Sequence, residues 1–380
     1  MDLQFMAADR DVCDELAPGL RAELAGLSLA EREADDGKAI QLFRACNGSN
    51  LVVPKEYGGS GGTAVQAMHV MRALGALAPS MAVATMMHHF SVGTLYSMTA
   101  AIGDQVNLDS ALLHRIAADR LLLASGFAEG NTDQDILRPT LRAERVDGGY
   151  LVNGVKKPCS LSRSMDLLSA SVAVPTGDGE SDFGLILMPA LTTGLSVHPF
   201  WSTFALAGAE SHEVRLTDVF LTEEQLVRTT PELAGRMLEL QILGLIWFQL
   251  SVCSVYSGLA GALVHRVLHR SRGSAADRAA LLIRHQSAAL LTEGLARRID
   301  AGDTGVDTLG AALVTRHTVQ HLVTSTASLA AELLGGMAFI SASEVAYLVA
   351  AAHAVAFHPP SRASTLDTIL GHLTSARDAA

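Results

Sequence analysis

The chain has 380 residues, of which 49% are hydrophobic and only 5% aromatic, and its formal net charge is −11. A chain of this length and composition can bury a large core, in more than one layer of secondary structure. The negative charge and the lack of a dense Lys/Arg run argue against nucleic acid as the main partner, because phosphate binding needs a positive surface.

Compartment and membrane signals point to a cytoplasmic protein. The N-terminal residues lack the basic and apolar regions of a secretory signal. The four cysteines have no metal-ligand spacing, which predicts no metal site and suits a reducing cytoplasm. The apolar stretch 242–263 contains Gln249 and is rich in Ser and Gly, so it predicts a buried helix rather than a membrane span.

Residues 1–120 predict a helical region. Apolar side chains recur at three- and four-residue spacing in 12–27 and in 63–77, as in amphipathic helices. A loop marked by Pro54, Gly58 and Gly59 separates the two segments.

Residues 121–228 predict a β region. Short runs of β-forming residues are divided by turn formers, and Asp147-Gly148-Gly149 is a hairpin signal between two of them. The predicted strands are 121–127, 140–146, 150–152, 167–174, 184–188 and 212–216.

Residues 229–380 predict a second helical region. Long helical patterns cover 233–268, 275–301, 309–334 and 343–357, and Gly335-Gly336 marks a helix C-terminus. The sequence therefore predicts an α+β protein with three domains in the order helical, β, helical.

Four motifs occur in the order and at the spacing of one known family. They are VPKEYGG at 53–59, FAEGNTD at 127–133, YLVNGVKK at 150–157 and LGGMAF at 334–339. On these motifs the chain resembles the acyl-CoA dehydrogenase superfamily over nearly its whole length. The resemblance implies an N-terminal helical domain, a central β-barrel or sandwich, and a C-terminal four-helix bundle.

The resemblance also implies a flavin cofactor, expected to be FAD, with FMN or reduced flavin as alternatives. The flavin of the family lies between the β domain and the C-terminal helices. The residues that the resemblance assigns to flavin binding are Phe127, Ala128, Glu129, Thr132, Ser160, Gly335 and Gly336. Ser160 stands in for a threonine of the family that hydrogen-bonds the flavin; alternatively it only caps a loop.

One FAD-binding motif of the family is altered. Its arginine and phenylalanine are expected near 269–274, where this chain has arginines and no phenylalanine. Arg270 or Arg272 can still meet a phosphate through charge-assisted hydrogen bonds, or both are solvated surface charges.

The catalytic base is also altered. Acyl thioester dehydrogenation needs a carboxylate beside the α-carbon, and the family usually provides it where this chain has His358. Some family members carry their glutamate on the first long C-terminal helix, and Glu239 matches that position. Glu239 is therefore the expected base, unless it is a helix N-terminal residue favoured by the helix dipole.

Other features resemble the flavin-dependent monooxygenases of the same superfamily, which use reduced flavin and O₂. These features are His358 followed by Pro359-Pro360, the Cys159-Ser160 pair, and His88 or His89 in the first domain. Histidines there can donate hydrogen bonds to oxygen held at the flavin. The alternative is that His88 and His89 are interior residues, and that His358 meets a helix dipole.

The preferred activity is α,β-dehydrogenation of an acyl thioester carried by CoA or an acyl-carrier protein. A reduced-flavin monooxygenase is the first alternative, and a non-catalytic binding scaffold is the second. The resemblance implies a homodimer or homotetramer, and a flavin reductase or electron-transfer partner.

Overall fold

A computed structural model of the chain describes residues 4–103, 110–130, 139–176, 180–230 and 232–374. Helices precede the first strand, as predicted. They are α1 (Ala7–Leu16), α2 (Leu20–Ala25), α3 (Leu29–Arg32), α4 (Lys38–Ala45), α5 (Ala64–Leu77), α6 (Pro79–Ile102) and α7 (Ser110–Ala118).

The helix predicted over 12–27 is interrupted. Pro18 and Gly19 separate α1 from α2, and Gly19 has a φ of 81° in the left-handed region. Proline cannot donate a helical hydrogen bond, so apolar spacing alone overestimated the length of this helix. The start predicted near Thr63 is confirmed, because the Thr63 side chain accepts a hydrogen bond from Gln66 N and caps α5.

The described strands form one mixed, eight-stranded sheet in the order β6-β7-β3-β2-β4-β5-β8, with β1 paired to β4. Where the sequence predicted a β-barrel or sandwich, the described residues form this single sheet. The strands are β1 (Leu123–Gly126), β2 (Arg142–Val146), β3 (Gly149–Cys159), β4 (Leu167–Pro175), β5 (Ser181–Pro189), β6 (Leu195–His198), β7 (His212–Leu221) and β8 (Leu226–Arg228). The predicted hairpin at Asp147-Gly148 joins β2 to β3.

Strands β1 and β2 lie one after the other along the same edge of β4. Residues 123–126 pair with the first half of β4, and Arg142 pairs with Ala173 near its end. After β1 the chain pairs with β3, because the Ala128 carbonyl oxygen accepts a hydrogen bond from Lys157 N and Glu129 forms a bridge with Lys157. Phe127 packs against Phe90 of α6, with ring centroids 5.8 Å apart.

Helices return after β8, as predicted. They are α8 (Ala234–His269), α9 (Ala275–Asp300), α10 (Val306–Leu334), α11 (Gly336–Ser341), α12 (Ser343–His353) and α13 (Arg362–Thr374). Gly335, with a φ of 85°, ends α10 as the Gly-Gly pair predicted. The segment predicted as one helix over 343–357 changes after His353 to a 3₁₀ turn, Ala354–Phe357.

Helix α8 is the centre of the helical packing. It contacts α5, α6, α9, α10 and α12. It is long and apolar enough to cross a membrane, yet 78% of its most apolar window is buried inside the protein. Gly75 of α5 and Gly258 of α8 let the two backbones meet, since a Cβ at Gly258 would lie 2.1 Å from the Arg72 carbonyl oxygen.

Candidate active site

A cavity of about 180 Å³ lies where helices α6 and α8, the end of β1 and the turn after α12 meet. Its walls are mainly aliphatic and aromatic side chains. Among the described residues that line it, none is Asp, Glu, Lys or Arg. An apolar cavity without a charged side chain disfavours charged ligands and strengthens each hydrogen bond made inside it.

His358 lines this cavity directly after the 3₁₀ turn Ala354–Phe357. Its Nε2 lies 2.7 Å from the Oη of Tyr256, a fully buried residue of α8. Burial, with the positive charge of Arg316, lowers the pKa of His358 to about 3. Burial also raises the pKa of Tyr256. Both groups are therefore neutral at neutral pH.

The hydrogen bond between them fixes the tautomer of His358. A buried phenol needs an acceptor for its proton, and Nε2 of His358 is within reach of the Tyr256 Oη. When Tyr256 donates to Nε2, the proton of the neutral imidazole resides on Nδ1. His358 is then a neutral N–H donor in the wall of the cavity.

Arg316 of α10 holds the backbone around His358. It is 2% exposed and donates hydrogen bonds to the carbonyl oxygens of Val355 and, at 3.4 Å, His358. It also reaches the Gln320 side chain at 3.2 Å. Burial lowers the pKa of Arg316. Its hydrogen bonds to these carbonyl oxygens position the turn that carries His358. Its positive charge disfavours a second positive charge on the His358 ring.

The structure brings three of the predicted flavin-binding residues to the same cavity, namely Phe127, Ala128 and Ser160. The Ser160 hydroxyl lies 2.9 Å from the Ser211 hydroxyl. Ser125, only 4% exposed, also faces the cavity, and its hydroxyl has no hydrogen-bond partner among the described residues. Apolar walls with a few hydroxyl groups fit a flat heteroaromatic ring such as that of flavin.

Glu129 does not line the cavity, and its assignment to flavin binding stays a prediction. Its carboxylate lies 2.6 Å from Nζ of Lys156 and accepts hydrogen bonds from the backbone and hydroxyl of Thr140. Burial alone would raise the pKa of Glu129, but these hydrogen bonds outweigh it and lower the pKa to about 2. Glu129 therefore anchors the segment after Phe127 and Ala128 to strand β3.

Glu239, the expected base, does not line the cavity. Residues of α8 at 237, 240, 241, 244 and 245 line the cavity as one stripe. Glu239 follows Met237 by two residues, or about 200° around a helix of 3.6 residues per turn. Its side chain is 67% exposed and pairs with Arg236 at 3.0 Å. The motif match therefore located a turn of α8 that lines the cavity, while Glu239 itself lies on the opposite, exposed face.

His88 and His89 are interior residues and do not line the cavity. Nδ1 of His88 accepts a hydrogen bond from Leu123 N at 3.0 Å, so Nε2 donates to the Ser49 carbonyl oxygen at 2.8 Å. His89 packs against Phe43 with ring centroids 5.6 Å apart. Their neighbours Met87 and Phe90 line the cavity instead. The interior alternative is the one that the structure supports.

Four other residues were assigned to cofactor binding, and the structure does not place them in the cavity. Arg270 and Gly336 are exposed, Gly335 is half-buried, and these residues do not line the cavity. Thr132 lies outside the described residues. For these four residues a role in cofactor binding stays a prediction.

Acidification is expected to destabilise the fold through His88 and His285, which are 0% and 1% exposed. Burial is the largest cause that lowers both pKa values to about 4. Above about pH 6.5 both histidines are neutral in the folded and in the unfolded chain. Between about pH 6.5 and the folded pKa of about 4, only the unfolded chain binds a proton at each histidine, which favours unfolding. The free energy of unfolding should fall by about 2 kcal/mol per histidine between pH 7 and pH 5.

Urea unfolding of the wild type and of His285→Gln at these two pH values measures this effect. Glutamine can still donate to the Ser257 carbonyl oxygen, which His285 Nε2 meets at 3.1 Å. The variant is expected to lose about 2 kcal/mol less than the wild type on acidification. An equal loss of unfolding free energy in both proteins would show that the lowered pKa of His285 does not contribute to the acid sensitivity.

Comparison with known proteins decides the family. Residues 14–104 match the N-terminal domain of acyl-CoA dehydrogenases. The chain is 47% identical over 363 residues to isobutylamine N-hydroxylase of Streptomyces viridifaciens, which covers 96% of both chains. The chain belongs to the acyl-CoA dehydrogenase superfamily.

Solved structures agree with this membership. Nitrososynthase from Micromonospora carbonacea var. africana superposes with a TM-score of 0.82 at 19% identity, covering 97% of both chains. FMN-bound TdsC from Paenibacillus sp. A11-2 superposes with a TM-score of 0.80 at 17% identity, also over 97% of both. At such identities the likeness concerns the fold, and it confirms the acyl-CoA dehydrogenase fold predicted from the four motifs.

Three residues of the site escaped the sequence analysis. Ser125 lines the cavity, whereas Tyr256 and Arg316 lie behind its wall, where they hydrogen-bond the side chain and the backbone of His358. Ser125 shares the two-residue strand periodicity with Phe127, so the alternation was a usable signal. Tyr256 and Arg316 are 102 and 42 residues from His358 in the chain. They sit within apolar helical patterns and carry no local signal.

Proposed function

We propose that this protein is a flavin-dependent monooxygenase that hydroxylates the nitrogen of an apolar primary amine. The observation that carries the proposal is the uncharged cavity in which His358 stands where the dehydrogenases of the superfamily keep a carboxylate. Identity of 47% to an isobutylamine N-hydroxylase over nearly the whole chain supports both the reaction and the substrate class. The monooxygenase alternative is thus better supported than acyl thioester dehydrogenation.

The cofactor of this proposal is reduced FMN or FAD. Solved structures with the same fold hold FMN in TdsC and FADH₂ in XiaF. In this chain Phe127, Ala128 and Ser160 would hold the ring, with the unpartnered Ser125 hydroxyl available to a polar ring edge. When bound, reduced flavin supplies two electrons and activates O₂. A flavin reductase is the partner that this chemistry requires.

The cavity favours the reactive form of the substrate. An alkylamine in water is mostly the ammonium ion, whose nitrogen has no free electron pair to attack oxygen. Moving it into an apolar cavity without a carboxylate disfavours the charged form, as burial lowers the pKa of a lysine. The described walls therefore exclude water, bind the alkyl group and present a neutral amine.

His358 supplies the hydrogen-bond donor for oxygen chemistry. Its Nδ1–H, set by Tyr256, is a fixed neutral donor in a low-dielectric site. Such a donor stabilises negative charge that develops on oxygen. One amine, one O₂ and the two electrons and two protons of reduced flavin give one hydroxylamine and one water.

The test supplies purified protein with FMN or FAD, an NADH-dependent flavin reductase, isobutylamine and ¹⁸O₂. The expected product is the hydroxylamine with one ¹⁸O atom, detected by mass spectrometry. The matched control mixes the oxidised flavoprotein anaerobically with butanoyl-CoA. Bleaching of the flavin with no ¹⁸O product from isobutylamine would overturn the proposal in favour of dehydrogenation. Failure to bind flavin in any form would favour a scaffold.

A further inference from the structure

A second cavity, of about 410 Å³, adjoins the first. It lies between α6, α7 and the face of the sheet formed by β1, β4 and β5. Its volume falls in the range of about 300–1,000 Å³ that is usual for small-molecule sites. The reaction proposed above makes no use of it.

The two cavities share one wall, which consists of five residues that line both. Those residues are Phe90, Thr94, Met98, Phe127 and Leu185. The rings of Phe90 and Phe127 meet edge to face, with an interplanar angle of 71°. Because the same side chains line both cavities, the wall is one side chain thick, and rotation of Met98 and of the two phenylalanines can open it without moving the backbone.

The chemistry of the second cavity suits an uncharged aliphatic chain. Its inner part is aliphatic, including Leu123, Leu167 and Leu187. Its charged residues, Arg115 and Glu224, are exposed and carry opposite charges, and the buried polar residue Ser91 is uncharged. The Arg115 guanidinium already pairs with Asp119 at 3.0 Å. The lining thus provides no concentration of positive charge for the phosphates of a CoA ester.

We propose that the second cavity binds the distal alkyl chain of a longer amine substrate, whose nitrogen reacts in the first cavity. This inference rests on the proposed amine hydroxylation and specifies its substrate class as linear alkylamines longer than butylamine. The Phe90–Phe127 pair separates the reacting end of such an amine from its tail. Each methylene that passes into the second cavity adds hydrophobic burial, so affinity should rise with chain length.

The test fills the second cavity and leaves the first intact. Leu187 of β5 lines only the second cavity and is half-buried, so Leu187→Trp should occupy the space of the tail. Leu112→Trp fills it from α7 and serves if the first variant does not fold. The matched control is Leu191→Trp, the same substitution at a residue that is 96% exposed and lines neither cavity.

Binding of n-octylamine and n-butylamine is measured by calorimetry on the flavin-loaded protein, and turnover by hydroxylamine formation. The wild type and Leu191→Trp are expected to bind n-octylamine more than about tenfold more tightly than n-butylamine. Leu187→Trp or Leu112→Trp should remove that tenfold preference and leave n-butylamine unchanged. A preference that survives both substitutions, or is missing in the wild type, overturns the inference. Wild-type binding without any hydroxylamine overturns the proposed function alone.

Discussion

Replacing His358 with alanine is expected to lower hydroxylamine formation by about a hundredfold, the usual effect of deleting one donor to a developing oxyanion. The residue lines the cavity as a neutral N–H donor, with its pKa lowered to about 3. Alanine removes the donor without adding charge or bulk. The rate is measured as ¹⁸O-labelled hydroxylamine at saturating amine, and flavin binding is measured separately by fluorescence quenching.

Two further variants separate catalysis from positioning. Tyr256→Phe keeps the ring and removes the hydroxyl that lies 2.7 Å from His358 Nε2. It should lower kcat by about tenfold and leave KM unchanged, because His358 then exchanges between two tautomers, of which only one carries the proton on Nδ1, and its ring is less firmly oriented. Glu239→Gln is the matched control on the exposed face of α8, and its kcat and KM should both equal those of the wild type.

Two results would contradict this assignment. Wild-type turnover in His358→Ala would show that oxygen chemistry does not use the cavity donor. Loss of activity in Glu239→Gln, with His358→Ala unaffected, would restore the exposed carboxylate as the base. A kcat loss confined to His358→Ala and Tyr256→Phe supports the pair.

The order of secondary structure was predictable because helices and strands leave strong periodic patterns. The helices from Ala234 to Leu334 begin and end within a few residues of their predicted limits. Strand β3 was underestimated, since Asn153-Gly154 suggests a turn. In the structure Gly154 sits at an irregularity in the pairing with β7, where the Asn153 side chain accepts a hydrogen bond from Asp218 N. The contact that lets β3 continue through Asn153 and Gly154 comes from β7, a strand distant in sequence, so no local pattern predicts it.

The site was predictable where a motif fixes the backbone and unpredictable where a side chain depends on tertiary packing. Phe127, Ala128, Ser160 and His358 line one cavity, and their roles in flavin binding and catalysis stay a prediction. His88 looked like a pocket residue because its type suits oxygen chemistry. Whether its nitrogens face a cavity or the backbone of Ser49 and Leu123 depends on a contact between distant segments.

The same limit applies to the reaction. A fold shared by dehydrogenases and monooxygenases does not by itself decide between them, since function depends on the site. The missing carboxylate at 358 was visible in the sequence, and Glu239 was assigned as its replacement. In the structure Glu239 is turned to solvent and away from the cavity. What then remains in the cavity is a donor without a base, which fits oxygen chemistry better than α-proton abstraction.

The largest expected effect on stability comes from the Lys156–Glu129 pair. Lys156 is fully buried, the Glu129 side chain is 3% exposed, and their charged atoms are 2.6 Å apart. Lys156→Met would leave a buried carboxylate without its cation, although Thr140 would still donate to it. Breaking a buried pair in this way costs about 3–5 kcal/mol of unfolding free energy. Urea unfolding at pH 7 measures the loss.

The adjacent lysine provides a matched control. Lys157 pairs with Glu213 at 3.0 Å, but its side chain is 33% exposed, so Lys157→Met should cost less than about 1 kcal/mol. Adding Glu129→Gln to Lys156→Met should recover part of the stability, because the amide is neutral and can still accept from Thr140. Equal losses in the two lysine variants would contradict the buried pair as the anchor. Because that anchor directly follows Phe127 and Ala128, Lys156→Met should also weaken flavin binding, whereas Lys157→Met should not.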